Sequence, residues 1–343
     1  MRVLVVQLSA GWAGTERHAV ELANELSSHL DVAILLRARP RERHRHAEYA
    51  ALRASIAPGI PVYLSSRATP CFGLWRAIAR FRPDLIHAHH ERSARVAALW
   101  ARPLGIPVIA TIHMRYRAVD YARCDALIAL NEAERARAAA AFRGEVVLIE
   151  NWVVPWPRPD PARINALRRE LGIDAGDFVI GSIGRLAHVK RIDGLIAAFA
   201  AADLPRSRLI IVGDGGERAA LEANGAARGL GDRVRFAGFR ADARDFYALF
   251  DLFVLNSAYD PYPLVILEAA EQRLKVIATA TAGAQMMAAN LPLTLIEIDS
   301  PTALTEALRA GYAARAEPAP VFSGFALADR LPDILALYRR SCR

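Results

Sequence analysis

An arginine and a lysine, Arg185 and Lys190, stand five residues apart in the stretch GSIGRLAHVKRID over 181–193. The apolar run 178–183 before them reads as a short buried strand. Apolar residues at 192, 195, 196 and 199 after them have the spacing of one helix face. The two cations therefore fall on a strand-to-helix turn, which in an open α/β sheet lies at the ligand-binding edge. Arginine is a planar fork of donors and lysine a point charge, so a phosphate suits the pair. A helix N-terminus beside them adds donors and a favourable dipole. A solvated loop would carry the same two residues, so other parts of the chain have to decide.

Further residues of the second half point the same way. The run 208–212 ends in Gly213-Asp-Gly-Gly-Glu217-Arg218, a glycine-rich turn that can bring backbone close to a ligand, although such turns are common. After 252–255 comes SAYDPYPLVILE, 257–268. Asp260 precedes the helix start. Glu268 follows about two turns later among Leu264, Val265, Ile266, Leu267, Ala269 and Ala270. A carboxylate there is costly unless it accepts hydrogen bonds, and a ribose diol can supply two; the plainer alternative puts it on the solvent side. In the first half, His113 sits at a strand end. His87, His89 and His90 with Glu91 match no usual zinc spacing, so no metal site is expected. Trp152 and Trp156 read as packing residues.

The elements that must position these residues alternate. Strands are expected over 2–8, 31–36, 84–87, 107–110, 126–129 and 146–149, with helices over 15–28, 72–80, 91–102 and 131–142. Such alternation implies a parallel sheet covered on both faces. Four prolines between 155 and 161 make a stiff connector and a domain boundary. The second half repeats the pattern, with strands over 178–183, 208–212, 234–236, 252–255, 275–278 and 294–296. Its helices are expected over 191–201, 217–227, 244–250, 264–272 and 302–309, and a final one over 326–340. The expectation is an α/β protein of two Rossmann-like doubly wound domains facing across a cleft, 1–155 and 156–327.

Composition bounds the reading. The 343 residues are 53% hydrophobic and 23% charged, with length enough for two cores. No apolar run approaches a membrane span, and the first run is too short for a signal segment. Three separated cysteines suggest a reducing cytoplasm and no disulfide framework. The formal charge of +8 is uneven: residues 1–155 hold 21 arginines against 14 acids. No RNA- or DNA-binding module accompanies that charge, so a nucleic-acid partner is not expected.

The ordered motifs GRLAHVKRIDGLI, LIIVGDGGERAALE, VRFAGF and SAYDPYPLVILEAAEQRLKVIAT closely resemble the C-terminal domain of family-4 retaining glycosyltransferases, which have the GT-B fold. AGTERHAVELANEL, RPDLIHAHH, GIPVIATIH and ENW agree in the first half, so the resemblance runs from residue 1 to about 290. It implies that Arg185 and Lys190 bind the donor pyrophosphate and stabilise the leaving nucleoside diphosphate without a metal or other cofactor. It implies that Glu268, the second acid of an E-x7-E pattern, holds the ribose. Asp260 stands where the family has the first Glu, which touches the donor sugar, and is one methylene shorter. Gly14 matches the second glycine of a GG pair, the first being Ala13 here. His113 matches a histidine near the anomeric centre. Gly238 and Phe239 would hold the base, Gly283 and Ala284 would lie on a phosphate-facing loop, and Gly184, Gly213, Tyr262, Pro263 and Leu264 complete the donor side. The acid that follows in the family is replaced by Gln285-Met286-Met287. The first domain would bind the acceptor, and a last helix over about 328–343 would pack back on it.

The acceptor-side candidates are Glu16, Arg17 and His89 with Arg37, Arg39 and Arg41 of the basic run 37–45. That run reads as a solvated loop, and it also suits an anionic lipid-linked or lipopolysaccharide-type acceptor or the inner membrane face. The implied activity is retaining transfer from a nucleotide sugar, UDP-linked before GDP-linked, to a bacterial surface glycan or glycolipid at the cytoplasmic side. Alternatives are a non-hydrolysing sugar-nucleotide epimerase and a catalytically degenerate nucleotide-sugar-binding protein.

Overall fold

A computed structural model describes residues 1–9, 14–38, 46–66, 68–317 and 324–342. The chain divides into two compact units, Met1–Val154 with Phe325–Arg343, and Pro155–Gly324. Arg39, Arg41 and Ala13 lie outside the described residues.

Unit 1 alternates β1 (Arg2–Gln7), α1 (Gly14–Leu26), β2 (Asp31–Arg37), α2 (His46–Ala54), β3 (Val62–Ser65), α3 (Pro70–Phe81), β4 (Leu85–His89), α4 (Glu91–Ala101), β5 (Val108–Ile112), α5 (Ala118–Tyr121), β6 (Ala126–Ala129), α6 (Glu132–Ala139) and β7 (Glu145–Leu148). The sheet order is β3-β2-β1-β4-β5-β6-β7, all parallel. Central strands such as β1 and β4 are buried along almost their whole length, as two covered faces demand, and β4 buries two histidines, His87 and His89, there. β1 is where the order reverses, pairing β2 on one side and β4 on the other.

Unit 2 runs α7 (Pro161–Leu171), β8 (Phe178–Ile183), α8 (Ile192–Ala202), β9 (Ser207–Val212), α9 (Arg218–Ala227), β10 (Val234–Gly238), α10 (Ala243–Phe246), β11 (Leu252–Leu255), α11 (Leu264–Glu271), β12 (Lys275–Thr279), α12 (Ala282–Met287), β13 (Leu293–Ile296) and α13 (Pro301–Ala313). Its sheet is β10-β9-β8-β11-β12-β13, again all parallel, with the reversal between β8 and β11.

The last helix, α14 (Leu327–Ser341), belongs to unit 1. The returning chain joins it at Phe325, whose carbonyl accepts from Val153 N–H at 2.8 Å. The return therefore starts earlier than the 328 read from the sequence. α14 has a topological reason. α3, α4 and α6 share one core on one side of the sheet. On the other side α1 and α2 lie over the β1–β3 part, with α1 reaching β4, and Leu331, Ile334 and Leu337 of α14 share that core with Ile109, Ala126 and Ile128. Arg330 pairs with Glu150 at 2.7 Å and Arg340 with Glu145 at 2.8 Å.

α2, β3, α5, α7 and α12 have no counterpart in the sequence reading. α7 had local signals: the Asp160 carboxylate accepts from Arg163 N–H at 2.7 Å, Pro161 opens the helix, and Gly172 ends it with a left-handed φ of 66°. Pro161 thus starts a helix instead of ending the connector. The helix expected over 244–250 is a single α turn followed by a 3-10 turn at Tyr247–Leu249.

Candidate active site

In unit 2 the expected donor residues gather at the carboxyl ends of β8, β9, β10 and β11. Gly213 has φ +134°, and a Cβ there would lie 1.9 Å from the Gly184 carbonyl oxygen, so only glycine is tolerated. Gly213 N–H donates to Gly238 O at 2.8 Å, and Gly184 N–H to Val212 O at 2.9 Å. Gly184, Gly213 and Gly238 thereby form one backbone junction of three strand ends. Arg218 lies over Gly238, its Nη1 at 3.0 Å from where a Cβ would stand, and half-buried Phe239 follows.

Arg185 leaves this junction exposed, its side chain making no hydrogen bond or ion pair among the described residues. Lys190 ends a short 3-10 turn, and its Nζ meets Asp260 Oδ2 at 2.7 Å with both side chains largely buried. The shorter acid in place of the family's Glu is therefore held by the lysine of the expected phosphate pair. Asp260 opens a turn through Pro261, buried Tyr262 and Pro263, with Leu264 starting α11. A Cβ on Gly283 would lie 2.4 Å from Pro261 O, so the start of α12 is pressed against that turn. Gly283 and Ala284, expected on a loop, lie in α12.

Glu268 is buried within α11, not on its solvent side. Its carboxylate accepts from Tyr247 Oη at 2.9 Å and meets Arg244 Nε at 3.4 Å, and the Arg244 guanidinium lies 4.7 Å over Trp156. The sequence reading looked to a ribose for these hydrogen bonds; the fold supplies two itself. Tyr247 and Arg244 were missed as its partners, and the spacing between them and Glu268 offered no periodic signal.

In unit 1 the expected residues surround the reversal at β1. Gly14 is the first residue of α1, and the buried Glu16 carboxylate accepts from Ser9 Oγ; Arg17 is half-buried and partnered. Arg37 ends β2. His89, at the end of β4, places Nδ1 3.1 Å from Nε2 of His113, just beyond β5. His18 of α1 packs edge-on to His113 with centroids 4.8 Å apart and lies against buried Trp152 at 3.9 Å, tilted by 34°. His87 reaches Tyr338 Oη of α14 at 2.6 Å and Thr111 Oγ1 at 2.8 Å. Burial lowers His87 to about 3. Burial, reinforced by His90 and His87, lowers His113 to about 3. His18 and His89 are pushed well below the usual imidazole range by burial and then by neighbouring imidazoles. The nest is therefore neutral near pH 7, able to give and take hydrogen bonds but not to act as a ready acid.

His90 turns away to Glu91 at 3.1 Å, so the sequential His/Glu cluster does not converge. Among the described residues, His18, His89 and His113 are the group whose ligand atoms could hold a metal ion, one from each lying within 4.8 Å of the others. Only His18 of these went unnoticed in the sequence; a polar residue on the buried face of α1 was the available signal.

Two all-parallel, doubly wound units with these strand orders define the GT-B class of fold. The structure of Anabaena Alr3699/HepE in complex with UDP and glucose superposes with a TM-score of 0.81 at 21% identity, covering 99% of this chain and 100% of that one. The chain belongs to the family-4 glycosyltransferases: the Glycosyltransferase Family 4 model matches residues 12–155 and the Glycosyl transferases group 1 model residues 163–314. A lipopolysaccharide core biosynthesis glycosyltransferase, LpsD of Rhizobium meliloti, is 30% identical over 196 residues, 56% of this chain. The chain spans about half (54%) of that relative. A D-inositol 3-phosphate glycosyltransferase of Catenulispora acidiphila is 28% identical over 308 residues, 75% of this chain and 72% of the relative. Among the described residues no helix is long and apolar enough to cross a membrane.

Proposed function

We propose that this protein transfers a sugar from a nucleotide-sugar donor, UDP-linked before GDP-linked, to a glycan or glycolipid acceptor of lipopolysaccharide, capsule or exopolysaccharide type, with retention at the anomeric carbon. The observation that carries the reading is exposed, unpaired Arg185 leaving a junction of three glycine-containing strand ends, with Lys190 on the same turn. The UDP and glucose in the HepE structure and the core-biosynthesis relatives support the donor and acceptor classes.

In this mechanism the glycosidic bond to the β-phosphate breaks and the anomeric carbon bonds to the acceptor oxygen on the same face. The acceptor proton passes to the departing phosphate oxygen. Arg185 and Lys190 stabilise the negative charge that grows on that phosphate, the task a metal would otherwise perform. Asp260 keeps the Lys190 ammonium aimed at the site before the donor arrives. Glu268, oriented by Tyr247 and Arg244, accepts from the ribose. Neutral His113, braced by His89, holds a donor-sugar hydroxyl. A trapped glycosyl-enzyme adduct would contradict this path.

The test is thermal shift against UDP, GDP, ADP and their sugars, for the wild type and Arg185→Ala. A ligand that binds only the native state raises the melting midpoint, by about 2.7 kcal/mol of stability at a hundredfold excess over Kd. The expected result is a shift with one nucleotide class that the variant loses, and turnover that survives EDTA. No shift with any of them would sink the donor site. Conversion of the donor without an acceptor would favour the epimerase.

A further inference from the structure

The outer face of α3 is unusual for a solvent-facing stripe. Gly73, Leu74, Ala77, Ile78 and Phe81 face the core. Phe72, Trp75, Arg76, Ala79 and Arg80, at the same helical spacing on the other side, are all exposed. Phe72 is 63% exposed and Trp75 58%. Their rings stack, with centroids 6.1 Å apart and 28° between planes, and present one broad apolar surface. Arg76 and Arg80 have no ion-pair partner among the described residues.

The aromatic stack stands beside β3, the edge strand of the sheet. A Cβ on Gly73 would lie 2.6 Å from Ser65 Cβ, so the first turn of α3 sits against the end of β3. Ser65 in turn stands opposite Arg37 in the β2–β3 register.

Charge is concentrated along this part of the chain. Residues 37–83 hold ten arginines against Glu42 and Glu48, a net of +8 that equals the formal charge of the whole protein. Residues 49–83 hold five arginines and no acid. Exposed aromatic rings beside guanidinium groups, with acids excluded, suit the boundary between water and an anionic lipid surface. There the rings sit at headgroup level and the cations meet phosphate. A soluble polyanion would use the arginines but leave the Phe72–Trp75 stack in water. A second copy of this chain would bring two strongly basic edges together.

We propose that the α3–β3 corner of unit 1 docks the protein on an anionic phospholipid surface, with Phe72 and Trp75 entering the headgroup layer and Arg76 and Arg80 lying over its phosphates. This inference does not rest on the donor site.

The experiment is co-sedimentation of the full chain with vesicles of phosphatidylcholine alone or mixed with phosphatidylglycerol. Binding is expected only with the anionic lipid, weakening as salt rises. Phe72→Ala/Trp75→Ala and Arg76→Glu/Arg80→Glu should each lower partitioning at least about tenfold. Trp100→Ala, which removes an exposed tryptophan of α4, should leave it unchanged. Each altered side chain is exposed, and an unchanged melting midpoint verifies the fold. No binding to the anionic vesicles overturns the proposal. So does binding that neither double variant reduces, or binding lost only with Trp100→Ala. Vesicle binding by a protein that shows no nucleotide shift would retain this proposal and discard the donor reading.

Discussion

Gly184 and Gly213 meet at one junction and carry opposite expectations. A Cβ on Gly213 would collide with the Gly184 carbonyl, and its φ of +134° is closed to side chains. Gly213→Ala should cost about 3 kcal/mol or more. A Cβ on Gly184 meets nothing within 4 Å, so Gly184→Ala should cost under about 1 kcal/mol. Urea unfolding of both variants checks the contrast, and equal losses would mean the strand ends are not packed this way. At this scale much was legible: spacing alone put Arg185 and Lys190 on one turn and Glu268 two turns beyond Asp260. The Lys190–Asp260 pair was not, because its partners are 70 residues apart and meet only when β8 and β11 become neighbours.

Among the elements, α14 shows where periodicity stops informing. Its apolar spacing marked a helix, but its destination depends on which half of a distant sheet face is bare. Tyr338 ties that helix to β4 through His87, buried on both sides of the bond. Tyr338→Phe leaves a buried imidazole nitrogen without its partner and should cost about 1–3 kcal/mol. A double-mutant cycle with His87→Phe would isolate the pair. Near-additive losses would show that the bond contributes little. α7 is the opposite case: its cap residues were readable, and the neighbouring prolines drew them into the connector instead.

For the molecule as a whole, the histidine nest sets a pH dependence. An unfolded histidine takes up its proton near 6.5. His87 and His113 in the fold do so only at about 3. Between those values the unfolded chain binds more protons, so stability is full above 6.5 and is lost as pH falls through that window. Each buried histidine should contribute about 1.4 kcal/mol of loss per pH unit there. Urea midpoints at pH 7.5 and 5.5 should therefore differ clearly, and His87→Phe should shrink the difference. A flat profile would mean that the nest is open to solvent.

The sequence by itself determined the two alternating halves, the strand-to-helix turn that carries Arg185 and Lys190, the acid spacing and the family, because periodicity and motif spacing are local properties of the chain. Only the tertiary structure decided that His18, His89 and His113 share a buried neutral nest, that Tyr247 and Arg244 hold Glu268, and that Lys190 meets Asp260. Burial and hydrogen-bond partners arise between residues such as His87 and Tyr338, 251 positions apart, and no local pattern encodes which distant side chain will arrive.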